Sequence, residues 1–281
     1  MGINGLETYI ESNANYLCQL VDLSEIAKGS KEPLILAVDG IGLIYWLFSK
    51  QITFKPFLHP LMCEYEKFAN KVQLFLDIVH SNNVHLVVFF DGIGEEWKKN
   101  TRWSRRIKEV ENVNKIRSRL QVSKSMNEFK EKNEQTIPIP LLAKQSLIYI
   151  LEKNSVEMVQ CQQEADHEIA KFAKEPKCYA VLARDTDFLM FDIPRYIPFS
   201  KLDICFLESQ QSPKHSILQA KIYSSNQLAN FLGFSTRVKK NQIFAHLTSP
   251  FPKSVYHYSE QWLATILPLN LHLNLSNCIL C

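Results

Sequence analysis

Two aspartates separated by one residue, Asp185 and Asp187, follow an apolar run of strand length in the segment CYAVLARDTDFLMFD (178–192). On an extended segment, residues i and i+2 point to the same side, so the two carboxylates would repel one another and raise each other's pKa. A bound cation, a basic side chain such as Arg184, or water could offset this repulsion. Because aspartate is also common in caps and turns, the pair alone does not establish a metal site.

Four more carboxylates stand where other apolar runs end or a helix-like segment begins. Asp39 and Asp91 each precede a glycine at the end of an apolar run, and Glu164 and Asp166 lie where a third run gives way to the helix-like segment ADHEIAKFA. Singly, each could cap a helix, and the helix dipole alone favours acids at a helix N-terminus. In a regular helix, the side chains of residues i and i+2 point in different directions. Glu164 and Asp166 can therefore face one site only if both lie at the first turn, or if one of them contacts a ligand residue and not the site itself.

Strand-length apolar runs alternate with helix-like segments along the chain, a pattern that predicts a mainly parallel sheet covered by helices. The carboxyl ends of such strands line the crevice where ligands bind, so Asp39, Asp91 and Asp185 would meet at one edge. Six carboxylates there would repel without cations, whereas oxygen ligands suit Mg²⁺ or Mn²⁺, and two such ions about 4 Å apart catalyse phosphodiester displacement. The runs span 34–39, 85–91, 156–161 and 178–185, and the helix-like segments 61–81, 141–153 and 165–174.

The charge of the chain is unevenly distributed, although the net charge is only +3. Residues 97–124 contain ten Lys or Arg against two Glu, a local charge of +8, so the remainder carries −5. A solvated basic helix is the ordinary interpretation of this segment, and a track for a nucleic-acid backbone is the functional one. With 46% hydrophobic residues the chain has ample material for a packed core.

Cysteine spacing and hydropathy indicate the cellular compartment of the protein, and polar stretches indicate its loops. The seven cysteines are odd in number and lack the spacing of a zinc site, so we expect free thiols in a reducing compartment. Neither a signal peptide nor a membrane-spanning run is visible, so a nuclear or cytoplasmic protein is expected rather than a secreted or membrane protein. A monomer is also expected. The polar stretches 121–140 and 207–221 are predicted to be a mobile insertion and a surface loop, and 223–234 contains a short helix.

Five motifs, in order and spacing, resemble those of the flap endonuclease and XPG superfamily of structure-specific nucleases. Within that superfamily, the amino-acid sequence is most similar to the asteroid branch. The resemblance runs from Met1 to about residue 205. It implies a PIN-like α/β/α sandwich with a mainly parallel central sheet, a core at 1–205 that carries a basic helical insertion at about 95–140, and a divergent C-terminal extension at 206–281 packed on the core. The motifs are MGINGL (1–6), AVDG (37–40), VVFFDG (87–92), QEAD (163–166) and ARDTDFLMFD (183–192).

The resemblance also implies residue roles. Lys98 and Arg105 match basic residues that steer the scissile phosphate, and their spacing of seven places them on one helical face. Gly2 matches an N-terminal glycine beside the active site, and Trp97 and Trp103 could stack on unpaired bases. The residues implied to bind one or two Mg²⁺ or Mn²⁺ ions, directly or through water, are Asp39, Asp91, Glu164, Asp166, Asp185 and Asp187. The residues expected to contact the nucleic-acid backbone are Lys99, Arg102, Arg106, Lys108, Lys115, Arg117, Arg119 and Lys124.

Two departures from the family pattern keep two functions open. Members usually supply another aspartate after the last core strands, but the corresponding stretch QIFAHLTSPF (242–251) has no acid, and Asp166 stands where Glu is more usual. One hypothesis is a metal-dependent nuclease acting on single-stranded, flap or overhang DNA, or on RNA. The other is a scaffold that binds nucleic acid or protein without catalysis. A phosphatase of the D-x-D type is disfavoured because its motif normally lies on the first strand, and two-metal chemistry does not need His167 as a base.

Overall fold

The computed structural model shows an α/β/α sandwich built on one eight-stranded sheet. This confirms the predicted fold class. The residues that the structure describes are 6–49, 65–93, 99–122, 139–140, 142–191, 193–206 and 216–231.

The strands and helices alternate through most of the described chain. The strands are β1 (Cys18–Asp22), β2 (Leu34–Asp39), β3 (Val84–Phe90), β4 (Glu157–Gln160), β5 (Cys178–Ala183), β6 (Tyr196–Pro198), β7 (Leu202–Phe206) and β8 (Ser216–Tyr223). The helices are α1 (Leu6–Ser12), α2 (Ala14–Leu17), α3 (Leu23–Gly29), α4 (Gly40–Ser49), α5 (Tyr65–Ser81), α6 (Lys99–Val122), α7 (Ala143–Lys153), α8 (Ala165–Phe172) and α9 (Ser225–Phe231). Short 3₁₀ segments cover Thr186–Met190 and Phe199–Lys201.

The sheet has a parallel part and an antiparallel part. Its strand order is β1-β8-β6-β5-β2-β3-β4, with β7 also paired to β8. Strands β6, β5, β2, β3 and β4 are parallel to one another, whereas β8 runs antiparallel to β1, β6 and β7. The carboxyl ends of the parallel strands therefore meet at one edge, as the alternating pattern predicts.

Burial on both faces explains why the central strands are continuous apolar runs. Along β2, Leu36 and Val38 pack in one hydrophobic cluster while Ala37 packs in the other. Along β3, Val88 and Phe89 divide in the same way. A strand covered by helices on both sides cannot alternate with polar residues, since either face would then bury an unpaired polar group.

The predicted surface loop at 207–221 is wrong for its last six residues, which belong to β8. Ser216, Leu218, Ala220 and Ile222 are buried, and the residues between them are half-buried. This two-residue alternation is that of a strand with one covered face. Strand β8 lies between β1 and β6 although it follows the expected boundary at residue 205. Residues 207–215 lie outside the described part.

The predicted helices agree with the observed ones within a few residues. The segments 141–153 and 165–174 correspond to α7 and α8, and the short helix expected within 223–234 is α9. Helix α5 begins at Tyr65, and residues 61–64 lie outside the described residues. In the part of the chain that the structure describes, no helix has the length and apolar character needed to cross a membrane.

Candidate metal and nucleic-acid site

Three of the predicted aspartates extend the same side of three adjacent strands. Asp39 ends β2, Asp91 follows β3 and Asp185 lies two residues beyond β5. Each stands two positions after a residue of the second hydrophobic cluster, and side chains two apart along a strand share a face. Those preceding residues are Ala37, Phe89 and Ala183.

Asp39 and Asp91 are held by backbone amides. The Oδ1 atom of Asp39 accepts a hydrogen bond from the Ile41 amide at 3.0 Å, in the first turn of α4. The Oδ1 atom of Asp91 accepts one from the Ala165 amide at 2.8 Å. Asp91 thus caps α8, a helix from a different part of the chain. The alternative that these acids are caps is therefore correct for both, and a carboxylate that accepts such hydrogen bonds keeps further lone pairs on its oxygens.

Burial and mutual repulsion disfavour the ionised form of Asp39. Burial raises the pKa of Asp39 to about 6, against the lowering effect of backbone hydrogen bonds from Gly42 and Ile41. The negative charges of Asp91 and Asp185 raise that pKa further. Acids from three strands therefore act on one another, as expected if they share a site.

Asp166 belongs to the same group. It lies in the first turn of α8, and burial raises its pKa to about 7, with further rises caused by the charges of Asp39, Asp185, Asp91 and Glu164. Asp166 therefore reaches the strand ends from the first turn of α8, which is one of the two arrangements that the sequence allowed. We call Asp39, Asp91, Asp166 and Asp185 the acidic edge.

Glu164 and Asp187 adjoin the acidic edge. Glu164 immediately precedes α8, and its side chain makes no capping hydrogen bond there. Asp187 lies in the 3₁₀ segment and, with Asp185, acts electrostatically on the hydroxyl of Tyr196. Arg184, a candidate for offsetting the repulsion, is exposed and lies 4.7 Å from the centre of the Tyr45 ring.

The donor chemistry of the acidic edge fits a hard divalent cation, because its side chains all offer carboxylate oxygens. Among the described residues, however, no three His, Cys, Asp or Glu side chains are grouped closely enough to hold a metal ion. The carboxylates therefore lie within electrostatic range of one another but not at ligand spacing. Binding one ion there requires side chains to rotate inward.

A close backbone approach fixes the loop that carries Asp91. The Gly92 amide donates to the Gln163 carbonyl at 2.7 Å, and the Ile93 amide donates to the Gln162 carbonyl at 3.0 Å. A Cβ atom at Gly92 would overlap the carbonyl oxygens of Cys161 and Gln162. Gly92 was not among the predicted site residues, although its position directly after a strand-end aspartate was a visible signal.

The predicted basic residues lie on α6, and nearly all of its described side chains are exposed. Arg106 pairs with Glu109 at 3.1 Å, and Trp103 is 68% exposed, as stacking on a base would need. His167 is also exposed and its ring lies edge-on to Phe191. The other described basic residues on α6 are Lys99, Arg102, Arg105, Lys108, Lys115 and Arg117. Gly2, Trp97, Lys98, Lys124, the stretch 242–251 and the side chain of Arg119 lie outside the described part.

Comparison with known proteins shows the family of the chain. The family model described as XPG I-region matches residues 155–242, which include Glu164, Asp166, Asp185 and Asp187. The zebrafish protein named single-strand DNA endonuclease ASTE1 is 30% identical over 199 residues, covering 69% of this chain and 24% of that protein. The fruit fly protein asteroid is 27% identical over 216 residues, covering 77% of this chain and 22% of that protein. The chain belongs to the flap endonuclease/XPG superfamily and is asteroid-like.

Another relative of this superfamily member carries a different kind of name. The cattle protein named constitutive coactivator of peroxisome proliferator-activated receptor gamma is 24% identical over 226 residues, covering 78% of this chain and 31% of that protein. The chain thus spans less than a third of the curated relatives that it matches.

A solved structure supports the fold of this superfamily member. Human GEN1 in complex with Holliday junction DNA aligns with a TM-score of 0.51 at 15% sequence identity, covering 88% of this chain and 50% of that one. At this identity the alignment establishes the shared fold alone.

Proposed function

We propose that this chain is a divalent-metal-dependent nuclease that hydrolyses phosphodiester bonds in single-stranded, flap or overhang DNA. The observation that carries the proposal is the acidic edge itself. Four aspartates from three strands and one helix lie at the carboxyl edge of the sheet, where burial and mutual repulsion raise the pKa of Asp39 to about 6 and that of Asp166 to about 7. Such an arrangement is unfavourable for folding alone, and a cation would relieve it.

The side chains of the acidic edge would hold one or two Mg²⁺ or Mn²⁺ ions, with Glu164 and Asp187 as further ligands, directly or through water. When bound, such ions lower the pKa of the attacking water and stabilise the leaving oxygen. Asp39 and Asp91 both accept hydrogen bonds from backbone amides, which would orient the two carboxylates before an ion binds.

Helix α6 would supply the electrostatic attraction for the substrate. Its eight Lys or Arg against two Glu make it the most basic described helix, and exposed cations release the counterions of a phosphate backbone when they bind it. Arg105, with Lys98, would steer the scissile phosphate, and Trp103 would stack on an unpaired base.

The test is cleavage of a labelled DNA flap in Mn²⁺ by the wild type and by Asp185→Ala. We expect metal-dependent cleavage that falls at least about a hundredfold in the variant, because a catalytic metal supplies several kcal/mol of transition-state stabilisation. Asp77→Ala is the matched control, since Asp77 is exposed on α5 and accepts a hydrogen bond from Gln73 of the same helix. Undiminished cleavage by Asp185→Ala would contradict the proposal.

A second candidate function is a nuclease-like scaffold that binds nucleic acid or a protein partner without catalysis. Three observations favour it: the acid-free stretch 242–251, the absence of a formed three-residue metal cluster among the described residues, and the relative named as a coactivator. This function predicts salt-dependent binding of single-stranded DNA or RNA with no turnover in Mn²⁺. Running the same oligonucleotides in a binding assay and in the cleavage assay separates the two functions.

A further inference from the structure

The strand next to the acidic edge carries a buried hydroxyl that the folded chain leaves unused. Tyr196, the first residue of β6, has 0% of its surface exposed, and its hydroxyl has no hydrogen-bond partner in the described structure. A buried hydroxyl without a partner destabilises a protein, and phenylalanine would fill the same space without that penalty. The tyrosine hydroxyl is therefore a feature that apolar packing alone does not explain.

The position of this hydroxyl connects it with the acidic edge. Tyr196 pairs with Val181 of β5, the strand that leads to Asp185. Its ring stacks on that of Phe188, which directly follows Asp187, with the ring centres 6.2 Å apart. Both contacts place the tyrosine beside β5 and the 3₁₀ segment, the two elements that flank Asp185 in the sequence.

Four carboxylates act electrostatically on the hydroxyl of Tyr196. Burial raises the pKa of Tyr196 well above its ordinary value, and the charges of Asp185, Glu7, Asp187 and Asp39 raise it further, in that order. The phenol is therefore neutral at any physiological pH and can only act as an O–H donor toward these acids. Of the four, Asp185 acts most strongly, and it lies two residues beyond β5, the strand that pairs with β6.

We propose that Tyr196 is a positioning residue for the metal site, whose hydroxyl donates a hydrogen bond to Asp185 when the carboxylates turn inward around a divalent cation. A carboxylate has two oxygens, so Asp185 can accept this bond on one and present the other to the ion. Hydrogen bonds of this kind fix the orientation of a ligand and increase metal affinity. The inference depends on the proposed metal site, and it assigns the otherwise unexplained hydroxyl to the metal-loaded form.

The experiment compares Tyr196→Phe with the wild type in two measurements that need no catalysis. Calorimetric titration with Mn²⁺ is expected to show a roughly tenfold weaker affinity for the variant. Thermal unfolding in EDTA is expected to show a higher Tm for the variant, because the metal-free form loses an unpaired buried hydroxyl. A role in packing alone would leave metal affinity unchanged.

Tyr223→Phe is the matched control. Tyr223 is a buried tyrosine on β8 that pairs directly with Tyr196 in the sheet. The charged or polar groups that act on its hydroxyl are Cys18, Glu11 and Glu7, none of which belongs to the acidic edge. This variant is expected to bind Mn²⁺ as the wild type does.

The outcomes separate this inference from the proposed function. Wild-type Mn²⁺ binding with unchanged affinity in Tyr196→Phe would overturn the role of the hydroxyl and leave the metal site standing. A lower Tm of Tyr196→Phe in EDTA would show that the hydroxyl already has a partner without metal, which also overturns it. A wild type that binds no Mn²⁺ would overturn the proposed metal site and this inference together.

Discussion

The acidic edge and helix α6 carry opposite charges and are proposed to meet the same substrate, yet they are built differently. Asp39 and Asp166 are half-buried, and Asp39 and Asp91 each accept a backbone hydrogen bond that orients the side chain. The side chains of α6 are mostly exposed to water. A charge that is buried interacts strongly with its neighbours, whereas a solvated charge is screened.

This difference indicates how each region contributes to function. The acidic edge depends on exact placement, so a small steric change there should abolish the arrangement. Helix α6 acts through the sum of its charges, so single substitutions should have small and additive effects that depend on salt. Substitutions that test the two regions separately should therefore differ in size and in kind.

The largest effect on stability and on Mn²⁺ binding is expected from Gly92→Ala, which should disrupt the acidic edge although it replaces none of the four aspartates. The added methyl would overlap the carbonyl oxygens of Cys161 and Gln162, and the loop that holds Asp91 would have to move. We expect a loss of about 3 kcal/mol in the free energy of unfolding and no measurable Mn²⁺ binding. Urea unfolding and calorimetry measure the two quantities.

Gly29→Ala is the control for this substitution, because nothing lies within 4 Å of a Cβ atom there. It ends α3, away from the acidic edge. A Gly92→Ala protein as stable as Gly29→Ala would show that the close approach of the two loops is not required.

A smaller effect is expected from the pH dependence of Asp166. The pKa of this carboxyl is raised to about 7 in the folded protein, above its unfolded value near 3.8, so the folded form binds the proton more tightly. Its contribution to stability is full below about pH 4 and is lost as the pH rises to about 7. In EDTA, Asp166→Asn should therefore equal the wild type near pH 4 and exceed it at pH 8 by about 2 kcal/mol, a value that allows for the partial exposure of the side chain.

Urea unfolding at several pH values checks this sign, with Glu168→Gln as the control on the exposed side of the same helix. Saturating Mn²⁺ should reverse the advantage of Asp166→Asn at pH 8, since the ionised carboxylate is then a ligand. A constant difference between wild type and Asp166→Asn across this pH range would contradict the raised pKa of Asp166.

The parts of the molecule that could be predicted from sequence are those set by local patterns. Strand β2 was predicted at 34–39 and is observed at those residues, because burial on both faces makes a strand a continuous apolar run. Strand β8 was missed because three of its eight residues are polar and its partner β1 lies about 200 residues earlier. Local propensity does not contain such a pairing.

In the acidic edge, too, some features follow from local sequence patterns and others depend on residues distant in the sequence. The positions of its aspartates at strand ends follow from the alternation of strands and helices, so their meeting could be predicted. Their side-chain rotamers could not be predicted, because rotamers depend on packing against residues that are distant in the sequence. The unpaired hydroxyl of Tyr196 could not be predicted either, because in the sequence Tyr196 is one more aromatic residue in an apolar stretch.

The smallest effect is expected on α6, from the double substitution of Arg105 and Lys108 by alanine. Both are exposed and one turn apart, so both can face the same phosphate backbone. Each lost phosphate contact should lower the slope of log affinity against log salt by about 0.7 for single-stranded DNA, with Mn²⁺ affinity unchanged. Fluorescence anisotropy at several salt concentrations measures the slope, and the paired substitution of exposed Lys28 and Lys153 by alanine controls for the loss of two charges. An equal change of slope in both variants would mean that net charge, and not the face of α6, attracts the nucleic acid.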